Sequence, residues 1–310
     1  MVDAAFPIGK RWHDQCAAIF GLILTSFLQF YCMGPVCNFM ASRFGDNVHI
    51  LQIVQFADEV TGGMQVELLK LLASALLGYL GMSGWCLLCD MVLIFTDKTH
   101  LKTQGEKNIF TVFEFIQATR LSLFNIVFLS WTLAVPIISL WRVLHGDRIQ
   151  RESDPWDYRW EIPKLAVCGI TVETVFFWTH WAIHFPYLYK KIHKLHHTFT
   201  APIAVAAAYA HPIEFLFGNL AGVILGPVLG NCHPLTAYWW VNFALVSTCG
   251  SHSGYAWHGA VGHDIHHEKF NVNFGVLKIF DYLMGTRYID SDIYKRDLAK
   301  LEAAREKKTE

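Results

Sequence analysis

The stretch Thr171-Val-Glu-Thr-Val-Phe-Phe-Trp-Thr-His180-Trp-Ala-Ile-His184 decides the fold. It is an apolar helix that ends in two histidines. Side chains three and four residues apart share a helix face, so Glu173, Phe177, His180 and His184 line up together. The apolar run extends from Leu165 to Phe185, close to the ~20 residues that cross a bilayer. One segment therefore predicts a membrane span with imidazoles gathered at its end.

Two further clusters follow: His193, His196 and His197 in Lys191-Ile-His-Lys-Leu-His-His197, and His263, His266 and His267 in Gly262-His-Asp-Ile-His-His267. Neutral imidazole is the commonest protein metal ligand. Eight of them exceed the four ligands of a closed zinc site, which predicts two metal ions held close together. Adjacent histidines on a helix diverge by about 100°, so each can serve a different ion or both can line one wall. His211, in Tyr209-Ala-His-Pro-Ile-Glu214, and His252, in Ser251-His-Ser-Gly-Tyr255, are additional candidate ligands. His258 is a poorer one. His13, His49, His100, His145 and His233 are isolated and take no metal role. An acid inside an apolar helix is expensive and points to function. Glu173 is expected to accept the second N–H of a ligating imidazole, as outer carboxylates do. Asp264, beside His263, is a second candidate for that role.

The rest of the chain fits a membrane protein. Of its 310 residues, 53% are hydrophobic and 16% charged, where a soluble globular chain carries about 25% charged residues. The mean hydropathy is +0.30. A net charge of -1 gives no electrostatic preference for nucleic acid. Apolar runs at Ala17–Ser42, Leu71–Cys89 and Leu121–Trp141 are further candidate spans. Phe215–Ser251 is uncharged but broken near Gly230-Asn-Cys-His-Pro234, which predicts a shallow helical hairpin or two tilted helices. The eight cysteines sit mostly in apolar runs, where free cysteine is a small hydrophobe, so no disulfide framework is expected. Cys86-Leu-Leu-Cys89 has metal or redox spacing but no second pair. No signal peptide is expected, and the first apolar run reads as a retained anchor.

All three clusters must meet on one side of the membrane, so the segment between His197 and His263 crosses an even number of times. Lysines and arginines favour the cytosol. Lys190, Lys191, Lys194, Lys269, Lys278 and Arg287 place this half there. The ending Lys307-Lys-Thr-Glu310 matches a dilysine endoplasmic-reticulum retrieval signal. The expected protein is all-α, multi-pass and membrane-integral, with a cytosol-facing, histidine-rich helical di-metal site. Residues 1–160 form a membrane anchor, 161–290 a catalytic region and 291–310 a charged cytosolic tail. Neither a nucleotide-binding glycine motif nor a nucleophile elbow is present. Imidazole suits zinc, copper, iron and nickel alike. Oxygen chemistry on a lipid favours iron, because zinc has no redox change.

The three boxes resemble the fatty acid hydroxylase/sterol desaturase superfamily over about residues 165–290. Tyr189-Lys-Lys-Ile-His-Lys-Leu-His-His-Thr-Phe-Thr-Ala-Pro202 looks like its central box. Tyr209–Glu214, His252-Ser-Gly-Tyr255 and Phe280-Asp-Tyr-Leu-Met-Gly-Thr286 look most like the C-4 methylsterol monooxygenase branch. The resemblance implies an endoplasmic-reticulum membrane oxygenase with two iron ions. It would use O2 and electrons from NAD(P)H relayed by cytochrome b5 and its reductase. Ligand roles would fall to His180, His184, His193, His196, His197, His263, His266 and His267, with His211 and His252 following. A 4-methylsterol is the favoured substrate. The alternatives are a fatty-acyl or sphingoid hydroxylase, a sterol desaturase, or a non-catalytic metal-binding relative. The chain departs from the pattern at Trp181, where many members carry arginine, and at Ala256, where methylsterol oxidases usually carry an acid. The segment from Tyr255 to His263 is also shorter than in that branch.

Overall fold

The structure, a computed structural model, describes residues 65–309. The apolar run Ala17–Ser42, with Cys16, Cys32, Cys37, His13 and His49, lies outside them. So does Glu310 of the C-terminal signal. All described elements are helical, as the hydropathy pattern predicts. The principal helices are α1 (Gln65–Phe95), α2 (Val112–Phe124), α3 (Ser130–His145), α4 (Tyr158–Ile183), α5 (Ala221–Leu229), α6 (Pro234–Ser251), α7 (Val261–Lys269), α8 (Ile279–Met284) and α9 (Asp292–Thr309).

Among the described residues, four helical stretches are long and apolar enough to cross a membrane: Glu67–Phe95, Val112–Leu133, Tyr158–Ile183 and Pro212–Leu229. The second begins well before the expected Leu121. The sequence signal for that start is a capping box. Thr111 Oγ1 accepts from Glu114 N–H, and the Glu114 carboxylate accepts from Thr111 N–H, which satisfies two amides that a helix start leaves unpaired. A π-helical segment, Asn125–Leu129, then joins α2 to α3.

The expected hairpin forms. Its descending limb, Pro212–Leu229, runs antiparallel to α4, and its ascending limb, α6, runs parallel to α1. Small residues let these backbones approach, as in membrane bundles generally. A Cβ at Gly226 would lie 2.6 Å from Cys168 Cα, and one at Gly78 would lie 2.7 Å from the Asn242 carbonyl oxygen. Either substitution would push a helix pair apart. Ser74 Oγ donates to the Tyr238 carbonyl, and Asn242 Nδ2 donates to that of Ser74. The ends of α4 and α6 that carry His184 and His252 thereby reach the same face of the bundle. An apolar cavity of about 100 Å³ between α1, α3, α5 and α6, lined in part by Trp141, Ile224 and Tyr238, lies toward the opposite end.

Candidate metal centre

Nine imidazoles converge at that face. They fall into two groups: His180, His184, His193, His197 and His266, then His196, His252, His263 and His267. Within each group the candidate ligand nitrogens lie within 4.8 Å of one another. Each adjacent pair is divided. His196 and His266 point into different groups from their neighbours His197 and His267, as the angular divergence of consecutive helical residues allows. The groups share a wall, with the His197 and His267 rings 4.6 Å apart.

Local backbone sets these directions. A π-turn at Tyr189–His193 leads into a 3-10 turn at His196–Thr198. The second cluster is thus not one regular α-helix, and π-turns of this kind recur at functional sites. The third cluster does lie on a regular helix, α7.

Backbone carbonyls fix the rings. His180 Nδ1–H donates to Phe274 at 2.8 Å, and His266 Nδ1–H to Val272 at 2.7 Å. His196 donates to Tyr209 at 3.1 Å, His252 to Thr248 at 2.8 Å and His267 to Phe199 at 2.8 Å. His193 Nδ1 lies 2.8 Å from the buried carboxylate of Glu214. A carbonyl only accepts, so Nδ1 carries the proton and each neutral ring turns a bare Nε2 lone pair inward. Yet Nε2 of His180 lies 3.1 Å from Nε2 of His193, and Nε2 of His196 lies 3.3 Å from Nε2 of His252. Two acceptors that close repel each other, and a cation between them removes the conflict. His184 Nε2 is buried with no hydrogen-bond partner among the described residues. The donor set therefore fits metal ions, and all nine imidazoles are available to hold them.

Burial pushes these rings toward the neutral form. His184 falls to about 2, with His180 and His196 adding to the effect of burial. His196 falls to about 4 and His252 to about 3, again chiefly through burial. An unfolded histidine titrates near 6.5. The folded values lie lower, so the unfolded chain binds more protons, and stability rises with pH across this window. Stability is full above about 6.5 and is lost progressively as pH falls toward 4 and below. Ligands must also be deprotonated to hold metal. Metal per chain, measured after gel filtration, is thus expected to be lower at pH 3.5 than at pH 7.5. Full retention at pH 3.5 would contradict this linkage.

The remaining expectations fare differently. His252 joins a group. His211 joins neither: its Nδ1 accepts from Ile213 N–H and caps the helix that begins at Pro212. His145 and His233 make backbone hydrogen bonds away from the centre. Glu173 takes different partners from the expected imidazole. Its carboxylate accepts the backbone N–H groups of Leu277, Ile279 and Phe280 at 2.6, 2.8 and 3.1 Å. Asp264 accepts from Asn108 Nδ2 and so ties α7 to the loop after α1. The carboxylate that does meet an imidazole is Glu214, four residues before a helical glycine and three after His211. In sequence the neighbouring His211 carries the more obvious ligand signal, although an acid at the start of an apolar run is the same signal that marks Glu173. Removing an outer partner of this kind typically costs 10–100-fold in metal affinity. Glu214→Gln is expected to weaken binding to that extent (about 10–100-fold) in the His193 group alone, as read by competitive chelation. Equal loss from both groups would contradict the assignment.

Residues 165–286 match the fatty acid hydroxylase family. The chain is 39% identical over 176 residues to the human fatty acid hydroxylase domain-containing protein 2, covering 55% of this chain and 51% of that protein. It is 36% identical over 154 residues to a methylsterol monooxygenase of Aspergillus fumigatus, covering 44% and 52%. It is 36% identical over 128 residues to a fatty acid hydroxylase of Mycosarcoma maydis, covering 40% and 33%. The chain spans about half the length of the first of these relatives. No solved structure matches it.

Proposed function

We propose that this chain, which carries a fatty acid hydroxylase domain at residues 165–286, is a di-iron membrane oxygenase acting on a lipid C–H bond. The observation that carries the reading is the pair of converging imidazole groups, with inward lone pairs that only cations reconcile. Imidazole alone admits several metals. The family is iron-dependent, and redox-inert zinc could not serve an oxidation. Iron bound there would supply the redox chemistry that places one oxygen atom of O2 in the lipid and releases the other as water, with two electrons and two protons consumed.

The protein's own part is positioning and exclusion. Carbonyls of Thr248, Val272 and Phe274 hold three rings in one tautomer and one orientation. Glu214, 2.8 Å from His193 Nδ1, fixes that ring's orientation and makes it a stronger donor, as outer carboxylates do. Phe274 packs on His180 and His184, and Phe270 stacks on His197. These aromatics keep water from the inner side of the rings. The electrons would come from NAD(P)H through cytochrome b5 and its reductase, since no nucleotide motif is present in the sequence. The site would face the cytosol from the endoplasmic-reticulum membrane, which the lysine-rich segments around it favour.

For the substrate we favour a 4-methylsterol, oxidised at its C-4 methyl group. The methylsterol monooxygenase relative and the His252-Ser-Gly-Tyr255 and Phe280–Thr286 segments support this choice. The test is expression in a yeast strain lacking its own C-4 methylsterol oxidase, with sterols profiled by mass spectrometry. Loss of accumulated 4,4-dimethylsterols with the native chain, and not with His196→Ala/His197→Ala, is the expected result. Unchanged sterols from an iron-loaded protein would overturn the sterol and move the search to hydroxylated acyl chains and sphingoid bases. Zinc at both positions in protein from iron-replete cells would overturn the oxygenase.

A further inference from the structure

The backbone between α7 and α9 makes an excursion that meets the metal centre at Phe274 and then leads away from it. Asn273 N–H donates to the Thr286 carbonyl at 2.8 Å and closes a neck. Residues 274–285 form a lobe beyond it. Two buried carboxylates hold the lobe together. Asp281 accepts from the N–H groups of Phe274 and Gly275 and from Thr286 Oγ1. Glu173, reaching across from α4, accepts from Leu277, Ile279 and Phe280. Five backbone amides are thus satisfied inside the protein rather than by water.

The lobe's outer surface is apolar. Leu283 is 65% exposed, Tyr282 64% and Leu277 52%, and Val276, Ile279 and Met284 are exposed beside them. This surface lies against a helix long and apolar enough to span a membrane. A Cβ on Gly169 would be 3.7 Å from Leu277 Cδ1, and Gly169 is near the middle of the 26-residue α4. His180 is farther along the same helix by about 16 Å, at 1.5 Å rise per residue. On α4 itself Val167, Ile170 and Trp178 are exposed and continue the apolar face. The lobe's cation turns the other way: Lys278 Nζ lies over Gly262 of α7, on the histidine side. The Arg287 guanidinium, 4.7 Å from the Tyr282 ring centroid, follows directly on the neck.

We infer that residues 274–285 are a re-entrant lobe that enters the bilayer beside α4, with lipid acyl chains covering its apolar face. Irregular backbone is tolerated at membrane depth only where its polar groups are satisfied within the protein. Glu173 and Asp281 supply that satisfaction, which gives the acid in the middle of an apolar helix a physical reason. The lobe also carries Phe274, whose carbonyl orients His180, so bilayer contact and ligand geometry are joined in one segment.

The test uses the full chain in phosphatidylcholine nanodiscs. Cysteine is introduced as Leu283→Cys and, separately, Tyr282→Cys, with Lys295→Cys on α9 as the exposed control and the native chain as blank. With a membrane-impermeant maleimide, both lobe positions are expected to react at least about tenfold more slowly than the control, since shielded thiols are inert. A fluorophore attached in detergent at position 283 is expected to be quenched, after reconstitution, by lipids with nitroxides on the acyl chain. Labelling as fast as the control would overturn the inference. So would a shielded fluorophore that the nitroxide lipids fail to quench, because protein rather than lipid would then cover the lobe. Neither readout uses bound metal or turnover, so failure here leaves the oxygenase reading intact.

Discussion

Replacing His196 and His197 together by alanine is expected to strip both ions and abolish turnover, while the chain still inserts in the membrane. The two residues are neighbours in sequence, but their rings serve different groups. His196→Ala alone is expected to empty the group of His252, His263 and His267. His197→Ala alone is expected to empty the group of His180, His184, His193 and His266. Loss of an outer partner already costs about 10–100-fold in affinity or activity, so loss of a direct ligand from each group should leave only background product. Metal per chain in purified protein, measured beside product formation, separates the cases. A double variant that keeps both ions and full activity would remove the proposed centre.

Glu173→Leu is expected to have the second largest effect, on folding rather than on chemistry. The carboxylate is 1% exposed and accepts three backbone N–H groups. A buried donor left without its acceptor costs about 1–3 kcal/mol, so the loss should reach about 3 kcal/mol or more. Glu173→Gln keeps one side-chain oxygen and should lose less. The damage should also reach His180, because the loosened lobe carries the Phe274 carbonyl that fixes its ring. Thermal unfolding in detergent reads the first effect and metal content the second. An unchanged midpoint for Glu173→Leu would show that these amides find other partners.

Much of this arrangement was legible in the sequence, because apolar runs and histidine spacing are local signals. The helix at 165–185 follows from its apolar run and the break at Gly230–Pro234 from its turn residues. Helical spacing leaves His196 and His197 free either to divide or to share one wall, and the fold divides them. His252 was reachable as a histidine at the end of an apolar run. What the sequence hides is long-range. The acceptor for His180 is a carbonyl 94 residues away, and every residue has a carbonyl, so no side-chain pattern marks that one. Glu173 stands out in the sequence as an acid in an apolar helix, but backbone amides compete with imidazoles for a carboxylate, and the path of residues 274–285 decides the contest against the expected imidazole. His211 looked equivalent to His252. The proline after it starts a helix whose free amide claims the ring, which removes it from the centre.

The facing lone pairs have a consequence for the chain's life in a cell. Whatever binds the folded form and not the unfolded one shifts the balance by mass action, by about 2.7 kcal/mol at a hundredfold excess over the dissociation constant. Here the empty form carries an added repulsion that ions relieve, between His180 and His193 and between His196 and His252. Newly made chains that fail to load are therefore the ones most open to degradation. The steady-state amount of the protein is expected to follow the supply of its metal, so that scarcity lowers the number of copies rather than leaving a standing pool of empty ones.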